Sequence, residues 1–301
     1  CGRYRSAMTD ALAIARGLLG AASVGDGPTP EQHGLIQNLL HGYFGVDADV
    51  ATLGPLDAAG LAGAVDEQDR RRVVDLLVVV EFCRHPATAA QADRAEEYAQ
   101  ALTVDAPLLV VARDALMDKR AELMKDWSRF RETSAVEPGV RADDPALGAR
   151  LRSLGDCPTG SLGRAYFEFH ERWQLSFPGE AGGGAVSLVS HDFSHVLAGY
   201  EPDAPGELAL QAMLTSATGF EHHFSGLVAS LSLYEVGMFD YPGITPRVGG
   251  VDRPGAAAEL AEGFARGARC TTDFQAIDHL ARAGDPLEAV RADCGIPPRS
   301  G

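Results

Sequence analysis

Residues 189–210 read VSHDFSHVLAGYEPDAPGELAL, and four of their side chains are natural cation ligands: His191, Asp192, His195 and Glu207. An α-helix turns about 100° per residue, so residues four apart lie about 40° from each other and residues three apart about 60°. His191, Asp192 and His195 are therefore expected on one side of a single helix. Gly199, Pro202, Pro205 and Gly206 break the chain, which puts Glu207 in the first turn of a new helix able to return toward the first and offer a fourth ligand. Two imidazoles with one or two carboxylates and no thiolate suit zinc, and also ferrous iron, manganese or cobalt. A divalent cation with an open position polarises a bound carboxylate or phenolate, and iron can also activate dioxygen; zinc alone supplies no redox chemistry.

Singly, each of these residues has a plainer explanation. Acids early in a helix are favoured by the helix dipole, and histidines are often satisfied members of a core. Downstream, His222 lies within the FEHHF run at 220–224, fifteen positions past Glu207. On a straight helix that is about 60° of rotation, which makes His222 a candidate base near the site. The glycines at 182–184 lack the Gly-Lys-Ser/Thr ending of a nucleotide loop and read as a lead-in to the first helix. Val189, Phe193, Val196, Leu197, Leu210, Met213 and Leu214 would form the packing surface between the two helices, some of them touching a hydrophobic substrate.

Taken together, His191-Asp192-x-x-His195, eleven residues, then Glu207 resembles the hallmark of the coenzyme Q biosynthesis protein four family. Upstream, Pro158-Thr159-Gly160-Ser161-Leu162-Gly163-Arg164-Ala165-Tyr166 is similar to the family's entry segment. Downstream, Gly263 to Gly267 and Pro286 to Pro297 resemble its closing elements. The resemblance covers residues 146–299. It implies a helical fold holding one divalent cation through His191, Asp192, His195 and Glu207, beside an apolar groove for polyprenylated aromatic headgroups. It also implies either oxidative decarboxylation or hydroxylation of such a ring, or a non-catalytic lipid-binding scaffold in a biosynthetic complex.

The N-terminal half supplies helices punctuated by breakers. Leu12, Ile14, Ala15, Leu18 and Leu19 keep a helical period that Gly25-Asp26-Gly27-Pro28 stops, and Thr29-Pro30-Glu31 opens a second helix running through Phe44. Residues 67–83 form a third helix, although their valine-rich run is equally a strand by composition, and residues 91–102 form a fourth. This stretch resembles the tellurite-resistance TerB-like helical family, whose acidic Asp-Gly…Glu turn is matched by Asp26, Gly27 and Glu31. Cys83-Arg84-His85-Pro86 stands where a second such turn belongs, so no metal is assigned to this half. Residues 108–132 continue the helical pattern, with Trp127 and Phe130 packing on a domain, and the proline- and glycine-bearing segment 134–145 reads as a linker. The expected class is mainly α: two all-helical domains joined by a linker helix, a helical bundle over 8–133 and a metal-binding domain over 146–299.

The 301 residues, 46% hydrophobic and 23% charged, are composed like a globular chain. Lys and Arg number 26 against 42 Asp and Glu, a net charge of −16 that repels phosphate backbones and makes nucleic acid an unfavourable partner. Five cysteines without a C-x-x-C pair suggest neither a disulfide framework nor a thiolate zinc site, and fit a reducing compartment. Met8-Thr9-Asp10 reads as a natural start, with residues 1–7 upstream of it. A cytoplasmic location with room for peripheral membrane contact, a hydrophobic small-molecule substrate, and assembly as a homodimer or with partner enzymes complete the expectation.

Overall fold

The computed structural model describes residues 10–84, 88–117, 119, 121–122, 125, 144–220, 222–238 and 244–299. Among them the regular structure is helical, with no strand and two isolated bridges, Ser161 with Pro286 and Val236 with Val248. The mainly α class expected from the periodicity is the class observed. No described helix is long and apolar enough to cross a membrane. Residues 1–7, His85, Pro86, Trp127, Phe130 and most of the 134–145 linker fall outside the described residues.

The chain opens with α1 (Ala11–Ala22), whose N-cap Asp10 accepts from the Ala13 amide, and α2 (Pro30–Asn38), where Thr29 and Gln32 close a reciprocal capping box. The second helix does not run on to Phe44 in α geometry, because Leu39–Tyr43 widens into a π turn. A 3-10 turn at Val50–Thr52 leads to α3 (Ala58–Ala64), α4 (Glu67–Phe82), α5 (Ala89–Ala101) and α6 (Pro107–Leu116). The valine-rich run is helix. Glu67 and Asp69 favour the α4 N-terminus, and every residue from Val73 to Phe82 is buried among neighbouring helices, so packing overrides β-branched propensity. Beyond α4, Arg84 donates to the carbonyls of Val24 and Gly27, filling the first acidic turn with a guanidinium.

The second half contains α7 (Pro145–Arg152), a 3-10 turn at Ser153–Asp156, α8 (Leu162–Trp173), α9 (Leu188–Ala198), α10 (Ala204–Ala217), α11 (Phe224–Tyr234), α12 (Ala256–Gly267) and α13 (Leu287–Asp293). Among the described residues, two hydrophobic clusters organise the packing. The first joins Leu35, Leu39, Leu76 and Val80 to Leu208, Leu227, Leu231 and Phe264. The second gathers Tyr166, Phe169, Phe193, Leu197, Leu210, Met213 and Val290. Helices α11 and α12 therefore bury against the N-terminal helices, and α10 is the wall common to both cores. A Cβ at Gly263 or Gly267 of α12 would run into the carbonyl of Ala209 or Met213, so α12 lies against α10 at backbone contact. The element that carries Glu207 is thus clamped from both sides.

Candidate metal centre

Three elements build the site. In α9, Phe193 through Ala198 are buried, which orients the whole helix and aims His191 and His195 at α10. Asp203 caps α10 by accepting from the Gly206 amide, Pro205 stands in its first turn, and Glu207 follows two positions later, facing back toward α9. In α8, Leu162, Gly163, Tyr166, Phe169 and His170 are buried, the three-to-four spacing of one helix face. The Phe169 ring stacks on His195, with centroids 5.7 Å apart.

His191 Nε2 lies 3.1 Å from Glu207 Oε2, His195 Nε2 lies 3.2 Å from Glu207 Oε1, and the two Nε2 atoms are 3.1 Å apart. These three residues form a group whose ligand atoms all lie within 4.8 Å of one another. Donors about 2.1 Å from a shared cation would be separated by about 3.0 Å at right angles and about 3.4 Å at tetrahedral angles, so the observed spacings fit a common ion. His195 is 1% exposed, while His191 and Glu207 retain 16% and 13%, which leaves the His191–Glu207 side as the approach.

The hydrogen bonds fix the proton positions. His195 Nδ1 is 3.0 Å from the Tyr200 carbonyl, which can only accept, so Nδ1 donates and Nε2 is the ligand nitrogen of the neutral ring. Gly199 makes that bond reachable, because its φ of 76° reverses the chain immediately after α9. Arg291 ties the same helix end by donating to the carbonyls of Val196 and Leu197. Two imidazole nitrogens 3.1 Å apart cannot both present lone pairs, so a proton or a cation must stand between them and the carboxylate. Burial works against charge at both His191 and Glu207, yet their attraction wins. Glu207 is held well below the usual carboxylate range by the two imidazoles, and His191 is lifted above 6.5 by Glu207.

Asp192 points elsewhere. It stands about 100° around α9 from His191, and its Oδ2 is 3.2 Å from His170 Nε2 on α8. His170, 1% exposed, packs against Tyr166, with centroids 4.5 Å apart, and stacks on Phe177, with centroids 4.6 Å apart and planes at 15°. Its approach to Asp192 lacks the alignment of a hydrogen bond, and neither ring nitrogen nor the nearby Tyr166 hydroxyl has a directed partner among the described residues. Such a buried polar group typically costs about 1–3 kcal/mol. Burial and then the Asp192 charge push the Tyr166 phenol above its ordinary value of 10.0. The sequence signal for His170 was its place four residues after Tyr166 on the buried face of α8, a spacing that reads as core.

His222 does not continue α10. That helix ends at Ala217, the chain turns through Gly219 and Phe220 with φ of 67° and 71°, and His222 is exposed in the bend before α11. The straight-helix extrapolation fails at that turn, and with it the reason for expecting a base there. Its neighbour His223 is the engaged residue, with Nε2 2.9 Å from Asp273 Oδ2. Phe193, Val196, Leu197, Leu210, Met213 and Leu214 are buried in the second core, as their packing role requires. A groove of about 920 Å³ between His41, Asp203, Arg253, Glu259 and Arg299 includes none of the three clustered side chains.

No family model matches the chain, and no curated protein matches it. Among solved structures, the chain is similar to a Nostoc punctiforme protein described as a "putative ubiquinone biosynthesis protein", at 18% identity and a TM-score of 0.36, over 74% of this chain and 97% of that one. That likeness is too loose to carry a functional conclusion.

Proposed function

We propose that the chain is a metal-dependent enzyme that acts on a hydrophobic, carboxylated or hydroxylated aromatic metabolite of the quinone-precursor kind, with a divalent cation held by His191, His195 and Glu207. The observation that carries this reading is the meeting of two Nε2 atoms and one carboxylate at 3.1–3.2 Å, partly buried, with the His195 tautomer set by the Tyr200 carbonyl. Zinc is the first expectation from the donor set, with iron or manganese as alternatives. The aromatic substrate class rests on the resemblance of the His191-to-Glu207 motif.

When bound, such a cation supplies Lewis-acid polarisation of a substrate oxygen and, if it is iron, a route to dioxygen chemistry. The chain's own residues do the rest. Glu207 brings the negative charge that offsets the ion in a poorly solvated site. His191 gives up the proton it holds beside Glu207. Tyr200 and Phe169 keep the His195 ring in place, so the ligand nitrogen is fixed before anything binds. The exposed side of His191 and Glu207 is where substrate would arrive, and the apolar second core shields the opposite side from water.

The test is turnover. Protein loaded separately with iron and with zinc is incubated with an isoprenoid-tailed hydroxybenzoic acid, dioxygen and a two-electron reductant, with product mass and released carbon dioxide followed. Turnover by the wild type that disappears in His195→Ala supports the enzyme. No turnover under any loading, with biological output intact in His195→Ala, would establish the non-catalytic scaffold instead.

A further inference from the structure

We infer that Asp192 is not a ligand of the cation but is held away from it by His170, so that the chain offers three ligands, His191, His195 and Glu207, and leaves the remaining coordination positions open. The inference rests on the metal reading above and refines it. Sequence spacing puts all four side chains near one another; the structure divides them between two directions.

His191 and His195 face α10 and meet Glu207, whereas Asp192 faces α8 and meets His170 at 3.2 Å. The His170 ring is held where it is, because Phe177 stacks on it at 4.6 Å and the tilted Tyr166 ring packs against it at 4.5 Å. Nor has it an alternative partner: both ring nitrogens are buried without a directed hydrogen bond among the described residues, and Asp192 is the charged group closest to them. Turning Asp192 into the cation's shell would take away the carboxylate within 4 Å of a buried imidazole whose nitrogens have no directed hydrogen bond among the described residues, which opposes that rotation. His170 is thus a positioning residue that sets the number of ligands, and a site with three protein ligands is the arrangement that keeps room for water or substrate.

The experiment uses the full chain and cobalt(II) alone, read by equilibrium titration and by the visible absorption that reports coordination number. Six proteins are compared: wild type, Asp192→Asn, Glu207→Gln, His195→Ala, His170→Phe and the His170→Phe, Asp192→Asn double variant, the last two checked by circular dichroism for retained fold. Asp192→Asn should bind one cobalt within about threefold of wild-type affinity and with an unchanged spectrum. Glu207→Gln and His195→Ala should lose at least about a hundredfold, beyond the usual cost of losing an outer-shell contact. In His170→Phe, Asp192 is released, and the spectrum should move toward higher coordination; adding Asp192→Asn should restore it. An Asp192→Asn loss as large as that of Glu207→Gln would overturn the inference while leaving the metal site standing, whether or not His170→Phe folds. Wild-type protein that takes up no cobalt would refute the metal reading and this inference together.

Discussion

Glu81 offers a prediction whose size follows from its surroundings. It lies in α4, 2% exposed, with neither carboxylate oxygen directed at a partner among the described residues. Burial pushes it up to about 8 from 4.5, opposed by the charge of Arg113 and reinforced by Glu96. Arg113 cannot serve Glu81 fully, because it already pairs with Asp93 at 2.8 Å and Glu96 at 2.7 Å. Since the folded pKa is the higher one, the folded state binds more protons between about pH 4.5 and 8. Stability is fully present below the unfolded pKa and is lost as pH rises toward the folded one, at about 1.4 kcal/mol per pH unit and roughly 4–5 kcal/mol in all. Glu81→Gln removes the titration and keeps the shape. Urea denaturation at pH 5, 6, 7 and 8 should show the variant gaining on the wild type by about 1.4 kcal/mol per unit. Asp75, which burial pushes up to about 7, is common to both proteins and cancels in the difference. A difference that stays constant across this range would refute the reasoning.

Three further outcomes are expected. Arg291→Ala removes two 2.9 Å bonds to the carbonyls at the end of α9, and should lower stability by about 1–3 kcal/mol in thermal melting and weaken cation binding, because His195 sits in that last turn. Gly267→Ala and Gly263→Ala each place a methyl against a backbone carbonyl of α10, where no side chain can rotate aside; each should cost about 1–3 kcal/mol by chemical denaturation, more than an alanine at an exposed glycine such as Gly63. Cation affinity should fall as pH drops, because His191, raised above 6.5 beside Glu207, must release its proton to bind. Titrations at pH 7.5 and 5.5 should differ at least about tenfold, and equal constants would contradict the assignment of His191 as a ligand.

Much of the local structure was written in short-range signals. Thr29-Pro30 and Gln32 encode a helix start completely, and α2 begins there; the first turn of α10 is encoded likewise by Asp203, Pro205 and Glu207. The valine-rich run in α4 was ambiguous because periodicity cannot distinguish a buried helix from a buried strand, and its neighbours decided it. The fate of Asp192 lay beyond sequence spacing. Helical rotation puts it near His191 and His195, but whether it turns to α10 or to α8 depends on His170, twenty-two residues upstream and indistinguishable in the sequence from ordinary core. His222 went astray because a helix was extended past Gly219, the residue whose positive φ helps end it. The burial of α11 and α12 among the N-terminal helices is likewise a long-range fact, as is the backbone contact of α12 with α10 that Gly263 and Gly267 allow.

The central claim is that His191, His195 and Glu207 hold a divalent cation. Elemental analysis of the protein after saturation with zinc and exhaustive dialysis tests it most directly, on the wild type and on a His191→Ala, Glu207→Gln double variant shown to be folded. One zinc per wild-type chain and none in the double variant is the predicted result. Equal zinc in both, or none in either, would contradict the account.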